Sequence, residues 1–287
     1  MKKLNLPQIQ DVNILHTLAQ NQNLHKTSYP ILRQQIHLVE AAYVDYTNSN
    51  GNPWNIANVG ITADLQTALR THYKSPPTSL NFIESLRDSS PEVCPMCGGF
   101  KPTELDHLLP KEDYPAWSIF SPNLVPACSC NRERGRLLKG RADKQARILH
   151  PYFDMCLQER ILTTTFIHSN DFSLIRAKVC YVDDNHPEIE SIKYHTKNVV
   201  IKNDIEGWIR GQLNTLVEFP ANVVKGISRR RTIDKDELVE KLEDLLESYD
   251  EQTGSKNNWN SILVHGLLNA PQLHDWLVER HNDVVTR

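Results

Sequence analysis

The sequence predicts an α+β protein in which a small core, held by something other than apolar burial, lies between helical flanks. Three observations predict it: apolar residues at helical spacing before position 90, a cysteine-, glycine- and proline-rich stretch over 91–149, and β-branched runs after Pro151. The expected organisation is a helical region 1–90, the small core 91–149, a β-rich segment 150–198 and a helical region 199–287.

Behind Pro30, residues Ile31, Leu32, Ile36, Leu38, Val39, Ala42, Tyr43 and Val44 recur at helical spacing, which predicts a helix from Ile31 ending near Asn48. Asn48-Ser49-Asn50-Gly51-Asn52-Pro53 is turn chemistry, and Thr62 to Tyr73 reads as a second helix with Leu65, Ala68 and Leu69 on one face. Ser75-Pro76-Pro77 stops it, and Leu80 to Leu86 forms a third, short helix. From Pro91 to Pro126 short strands and loops are expected, followed by a basic helical segment from Asn131 to Arg147. The runs Ile161 to Ile167 and Leu174 to Val182, separated by Ser169-Asn170-Asp171, read as a hairpin. Mainly helix follows from about Val199: Leu238, Leu242, Leu245 and Leu246 make an apolar stripe, and Trp259 to Leu268 and Pro271 to Val278 close the chain.

A chain of 287 residues buries a full core without disulfide staples. No stretch approaches the roughly 18 apolar residues of a membrane helix, so no membrane partner is expected. Met1-Lys2-Lys3-Leu4-Asn5-Leu6-Pro7 has charge but no apolar run behind it, which is not a signal peptide and makes the cytoplasm the expected location. With a net charge of −3, any affinity for nucleic acid has to come from a local patch.

Four of the six cysteines crowd into Cys94-Pro-Met-Cys97 and Cys128-Ser-Cys130, which is metal-ligand clustering; Cys156 and Cys180 stand apart and are expected to be buried thiols. Two thiolates three residues apart can share one tetrahedral ion while Gly98 and Gly99 permit the tight turn behind them. The expected occupant is structural zinc. The second pair is one residue shorter than a usual zinc knuckle, so it either strains the tetrahedron or leaves Cys128 or Cys130 outside it.

Between these pairs lies Glu104-Leu105-Asp106-His107-Leu108-Leu109-Pro110-Lys111, with a carboxylate and an imidazole adjacent at the end of an expected strand. A neutral imidazole suits the removal of a proton from an attacking water, and a hard cation on oxygen ligands suits a phosphodiester's leaving oxygen. In a regular strand Asp106 and His107 point to opposite faces, so joint action requires a bulge or a turn at His107. The plainer reading is a surface Asp-His pair.

Cys94-x-x-Cys97, Leu105-Asp106-His107-Leu108-Leu109-Pro110-Lys111, Tyr114-Pro115, Asn123-Leu124-Val125-Pro126-Ala127-Cys128 and Cys130-Asn131 together resemble the HNH endonucleases and their ββα-metal fold. The likeness is to the subgroup whose last motif residue is Asn, and His150-Pro-Tyr-Phe-Asp154 resembles a segment found after such cores. The resemblance implies a metal-dependent nuclease cutting DNA, with RNA left open. It implies His107 as general base, Asp106 and Asn131 holding one Mg²⁺ or another divalent cation, and Asn123 bracing the loop that carries His107. The short Cys128-Ser-Cys130 turn leaves Glu133 as a reserve ligand to Asn131. Lys111, Arg132, Arg134 and Arg136, with Lys139, Arg141, Lys144 and Arg147, would form the basic surface for nucleic acid; an ordinary solvated helix face is the plainer reading.

Similarity to HNH effectors of bacterial anti-phage (antiviral) defence makes an ATPase or another regulatory subunit an expected partner. The alternative from a different class is a non-catalytic zinc-knuckle module that binds nucleic acid or a partner.

Overall fold

The computed structural model describes residues 1–170, 172 and 174–286, and it mixes helices with two small antiparallel sheets. The N-terminal region is helical: α1 (Asp11–Gln20), α2 (Ile31–Asn48), α3 (Ala63–Lys74) and α4 (Phe82–Asp88). Helix α2 buries Leu32, Val39, Ala42, Tyr43 and Tyr46, and α3 buries Leu65, Ala68, Leu69 and His72. These are the three- and four-residue steps that put side chains on one face. Helix α1 was not foreseen, and α4 starts two residues after the expected Leu80 because Thr78–Leu80 is spent in a 3₁₀ turn.

Strand β1 (Glu104–His107) pairs antiparallel with β2 (Leu124–Ala127), setting Asp106 opposite Val125 and His107 opposite Leu124. Helix α5 (Cys130–Arg134) follows, giving the order β-β-α. The helix expected to run on to Arg147 ends after its first turns. Gly135 adopts φ 59°, which stops helical propagation, and the chain folds back with Gly140 N–H donating to Ala146 and Ile148 N–H to Leu138. Burial of Leu138 and Ala146 holds that loop down.

The hairpin is present as β3 (Leu162–His168) and β4 (Ile175–Tyr181), with Leu162 opposite Tyr181 and His168 opposite Ile175; of its expected separator, Asp171 lies outside the described residues. Cys156 is buried as expected, whereas Cys180 near the free end of β4 is half-buried. Helix α6 (Ile189–His195) widens into a π-type turn over Thr196–Ile201 before α7 (Ile205–Glu218), α8 (Pro220–Val223), α9 (Lys235–Thr253), α10 (Trp259–Leu268) and α11 (Pro271–Thr286). The last helix runs well past the expected Val278, since His281 is also buried. Helix α10 packs on β3 so closely that a Cβ at Gly266 would run into the Thr164 backbone. No helix is long and apolar enough to cross a membrane among the described residues.

The buried apolar side chains fall into two clusters that divide the β1–β2 ribbon between them. One gathers α1 to α3 with Leu105, Leu109, Trp117, Phe120 and Leu124. The other gathers α7 to α11 with the four clustered cysteines, Leu108, Val125 and Ala127.

Candidate active site and metal centre

The sulfurs of Cys94, Cys97, Cys128 and Cys130 all lie within 4.8 Å of one another, and all four residues are buried. Cys94 to Cys130 is 3.6 Å and Cys97 to Cys128 is 3.5 Å. These are free thiols, too far apart for disulfides, and they match a tetrahedron with arms of about 2.3 Å, whose edges are about 3.8 Å. The short Cys128-Ser129-Cys130 turn therefore leaves neither cysteine outside. Cys128 closes the end of β2 and Cys130 opens α5, so the change of backbone direction at Ser129 swings both sulfurs inward.

Donors surround the sulfurs. The Gly99 and Cys130 amides donate to Cys97 and Cys128 at 3.4 and 3.5 Å, and the Asn203 amide reaches Cys97 at 3.3 Å and Cys128 at 3.7 Å. Hydrogen bonds from Cys130, Cys94 and Cys97 push the Cys128 thiol down, while the same neighbourhood, Cys128 first, pushes Cys130 up. Four buried thiolates this close cannot coexist without a cation among them. The donor set fits one thiophilic ion such as zinc.

Elements beyond the core grip this cluster. Trp259 donates its indole N–H to the Cys97 carbonyl at 2.8 Å, and its backbone N–H to Gly98 at 3.1 Å. His195 accepts the Leu149 amide at Nδ1 and donates from Nε2 to the Met96 carbonyl at 2.6 Å. Gly98 has φ 77°, and a Cβ there would run into the Asn257 carbonyl, so the glycine is required twice over.

At the other end of the ribbon, alternation along β1 holds in part: Leu105 and His107 are buried, Glu104 is exposed, and Asp106 keeps only 15% side-chain exposure. The His107 ring donates from Nε2 to the Ser118 carbonyl at 2.9 Å. A carbonyl only accepts, so the proton sits on Nε2 and the Nδ1 lone pair is free. Among the described residues Nδ1 has no hydrogen-bond partner. Burial lowers the His107 pKa to about 3, against a raising contribution from the Ser118 carbonyl, so the ring is neutral at ordinary pH.

Asn123 does what a loop brace must. Its Oδ1 accepts from Leu109 N–H at 2.8 Å and from Tyr46 at 3.1 Å, and its Nδ2 donates to the Leu109 and Trp117 carbonyls. With no exposure at all, it fixes both limbs of the loop from Leu108 to Pro122, including the turn that presents Ser118.

Asp106 accepts the His107 amide on Oδ1 at 2.8 Å, which turns the carboxylate toward the strand end. Its Oδ2 meets the Arg134 guanidinium at 2.5 Å. Burial raises the Asp106 pKa, with Arg134 the chief opposing influence. Arg134 is only 2% exposed and also donates to the His107, Leu108 and Leu137 carbonyls. It belongs to the interior of the site, not to a surface that a nucleic acid could lie on. Asn131 is half-buried and donates to Glu104 at 3.0 Å, so the structure brings it to Glu104 rather than onto Asp106 directly. Glu104 is the participant not singled out from the sequence, and the two-residue step from Glu104 to Asp106 was its available signal; Arg134, expected on the basic surface, lies instead against Asp106.

Of the expected basic surface, most members are already matched by acids. Lys111 meets Glu112 at 3.4 Å, Arg136 pairs with Asp113, Arg141 with Asp143 at 2.6 Å, Arg147 with Asp154 at 2.5 Å, and Lys144 approaches Glu190. Arg132 and Lys139 have no acidic partner among the described residues, and Lys139 sits 5.1 Å over the Trp54 ring. Glu133, the reserve ligand, is exposed on α5.

No family model matches the chain, and no solved structure gives a significant match. Protein ea31 of Escherichia phage lambda is 34% identical to it over 103 residues, 35% of this chain and 33% of that protein. The chain thus spans about a third of the relative's length, and the relative's name states no activity.

Proposed function

We propose that the chain is a metal-dependent nuclease of the HNH kind that hydrolyses phosphodiester bonds in DNA, with structural zinc on Cys94, Cys97, Cys128 and Cys130. The observation that carries the reading is the His107 ring, whose Nε2 is tied to the Ser118 carbonyl while Nδ1 keeps a free lone pair at the end of a strand that also carries Asp106. A buried, neutral imidazole of fixed tautomer is the form a general base needs.

In this reading His107 removes the proton from the attacking water through Nδ1. Asn123 holds the loop so that Ser118 keeps the ring in that orientation. Asp106 and Asn131 are the oxygen ligands for a divalent ion such as Mg²⁺, with Glu104 beside Asn131 as a further carboxylate. Each Asp106 oxygen retains a lone pair beyond the hydrogen bonds it accepts, and hard oxygen donors suit such an ion. When bound, the ion supplies positive charge to the scissile phosphate and its leaving oxygen. The likeness to anti-phage effectors extends the proposal to a defence role beside an ATPase or other regulatory subunit. The non-catalytic module is favoured by one observation, the Arg134 guanidinium already neutralising Asp106.

The test is cleavage of labelled DNA with Mg²⁺ or Mn²⁺, with an RNA strand of the same sequence in parallel. His107→Ala is expected to lose cleavage at least a hundredfold while retaining fold, zinc content and DNA binding. Asp106→Ala is expected to be inactive through loss of the divalent ion, so raised Mn²⁺ partly restores Asp106→Ala and leaves His107→Ala dead. A His107→Ala protein that cuts as fast as the parent would hand the site to the binding-module reading.

A further inference from the structure

Besides Arg132 on α5, unmatched cations stand on the N-terminal helices. Lys74 ends α3 and Arg87 lies in the last turn of α4; both are exposed, and neither has a carboxylate within ion-pair distance among the described residues, although Glu84 stands one turn before Arg87. Together with Tyr73, Pro76, Pro77, Ile83 and the single carboxylate Glu84 they line a cleft of about 400 Å³.

Its position relates it to the site. Tyr73 forms one wall, and its ring meets the His107 ring edge-on with centroids 4.2 Å apart, while its hydroxyl donates to the Leu105 carbonyl of β1 at 2.7 Å. Helix α4 packs against β1, and the Arg87 guanidinium lies beside Tyr73. A single aromatic ring therefore separates the cleft from the group that would act on the phosphodiester. Two unmatched cations with the flat rings of Tyr73, Pro76 and Pro77 beside them suit one repeat of a polynucleotide: phosphate oxygens at the charges, sugar and base against the rings. The volume is within the range of small-ligand clefts.

We propose that this cleft is a nucleotide subsite, in which Lys74 and Arg87 take a phosphate neighbouring the one presented to His107. The proposal rests on the nuclease reading and gives the N-terminal helices a share in holding the substrate strand. It also gives a use to the unmatched positive charge that α3 and α4 carry.

The experiment measures fluorescence anisotropy of a fluorescein-labelled single-stranded DNA against salt, in the full chain carrying His107→Ala so that binding is read without turnover; cleavage by the parent is measured separately. Lys74→Gln with Arg87→Gln is expected to weaken binding about tenfold and to flatten the salt dependence by about 1.4, two contacts at about 0.7 each on a single strand. Lys74→Arg with Arg87→Lys is expected to restore both, and neutralising Lys235 and Lys241 on α9 to change neither. An unchanged slope in the double Gln variant overturns the subsite, and so does failure of the charge-preserving pair to restore it, since Arg87 would then act only by supporting Tyr73. A parent that does not cut DNA overturns the nuclease reading itself.

Discussion

The two ends of the β1–β2 ribbon are built by different physics. At the cysteine end four sulfurs lie close together inside the C-terminal apolar cluster, with Asn203, His195 and Trp259 reaching in from the elements that follow. At the His107 end no sulfur takes part: Trp117, Phe120 and Tyr46 fill the space, and Asn123 supplies the polar connections. One end joins packing to four potential metal ligands, and the other joins it to amide hydrogen bonds. The difference teaches that loss of the sulfur cluster and loss of the His107 ring's orientation are separable injuries.

The largest expected effect breaks the first end. Removal of the metal by a thiophilic chelator, or Cys97→Ser, is expected to cost several kcal/mol, because structural zinc sites contribute on the order of 10 kcal/mol to folding. Elemental analysis should fall from one zinc per chain to none, and the melting transition should move down and broaden. Full zinc content and an unmoved melting point in Cys97→Ser would reduce the cluster to buried thiols.

The second effect breaks the other end alone. Trp117 is fully buried and donates to the Ala42 carbonyl at 2.9 Å, so Trp117→Ala is expected to cost about 3–5 kcal/mol. Zinc content should survive it at temperatures where the fold persists, while Trp259→Ala, of similar cost, should release zinc more readily. Equal zinc loss in both variants would show that the two ends are not independent.

The smallest effect concerns pH. Burial lowers the pKa of His150 well below its ordinary value and lowers that of His72 as well; they bond to Tyr46 and Ser28 respectively. An imidazole with a folded pKa below the unfolded value of about 6.5 makes the unfolded state the better proton binder once pH drops under that value. Stability is therefore complete above about pH 6.5 and is lost as pH falls, and His150→Gln should flatten the dependence between pH 7 and 5. A parent whose melting point is level over that interval would contradict the neutral, buried assignment.

The helices with a clear apolar period, α2, α3 and α9, were legible in the sequence because their buried residues repeat at three and four, and α10 was legible as a short run of apolar residues. So was the sulfur cluster, since thiol spacing carries its own geometry. Helix α1 was missed: only Leu15, Leu18 and Ala19 of it are buried, too few to set a period. The overlong α5 came from reading Arg and Lys as helix formers when Gly135 had already stopped the turn. Asn123's role could be guessed from an Asn before a strand, but its four partners belong to Tyr46, Leu109 and Trp117, which only the fold assembles. Arg134 was counted as surface charge, because nothing local to α5 reveals that the Asp106 carboxylate is waiting across the ribbon.

A ribbon whose residues are divided between two cores makes a poor cassette. Cut out at positions 91 and 149, it would carry Leu105, Leu109 and Leu124 stripped of their helical cover on one side, and Val125 and Ala127 on the other. Transplanting it into a new host would thus demand two matching sockets at once. A protein built this way is more readily altered on the outer faces of its flanking helices than by exchanging its centre.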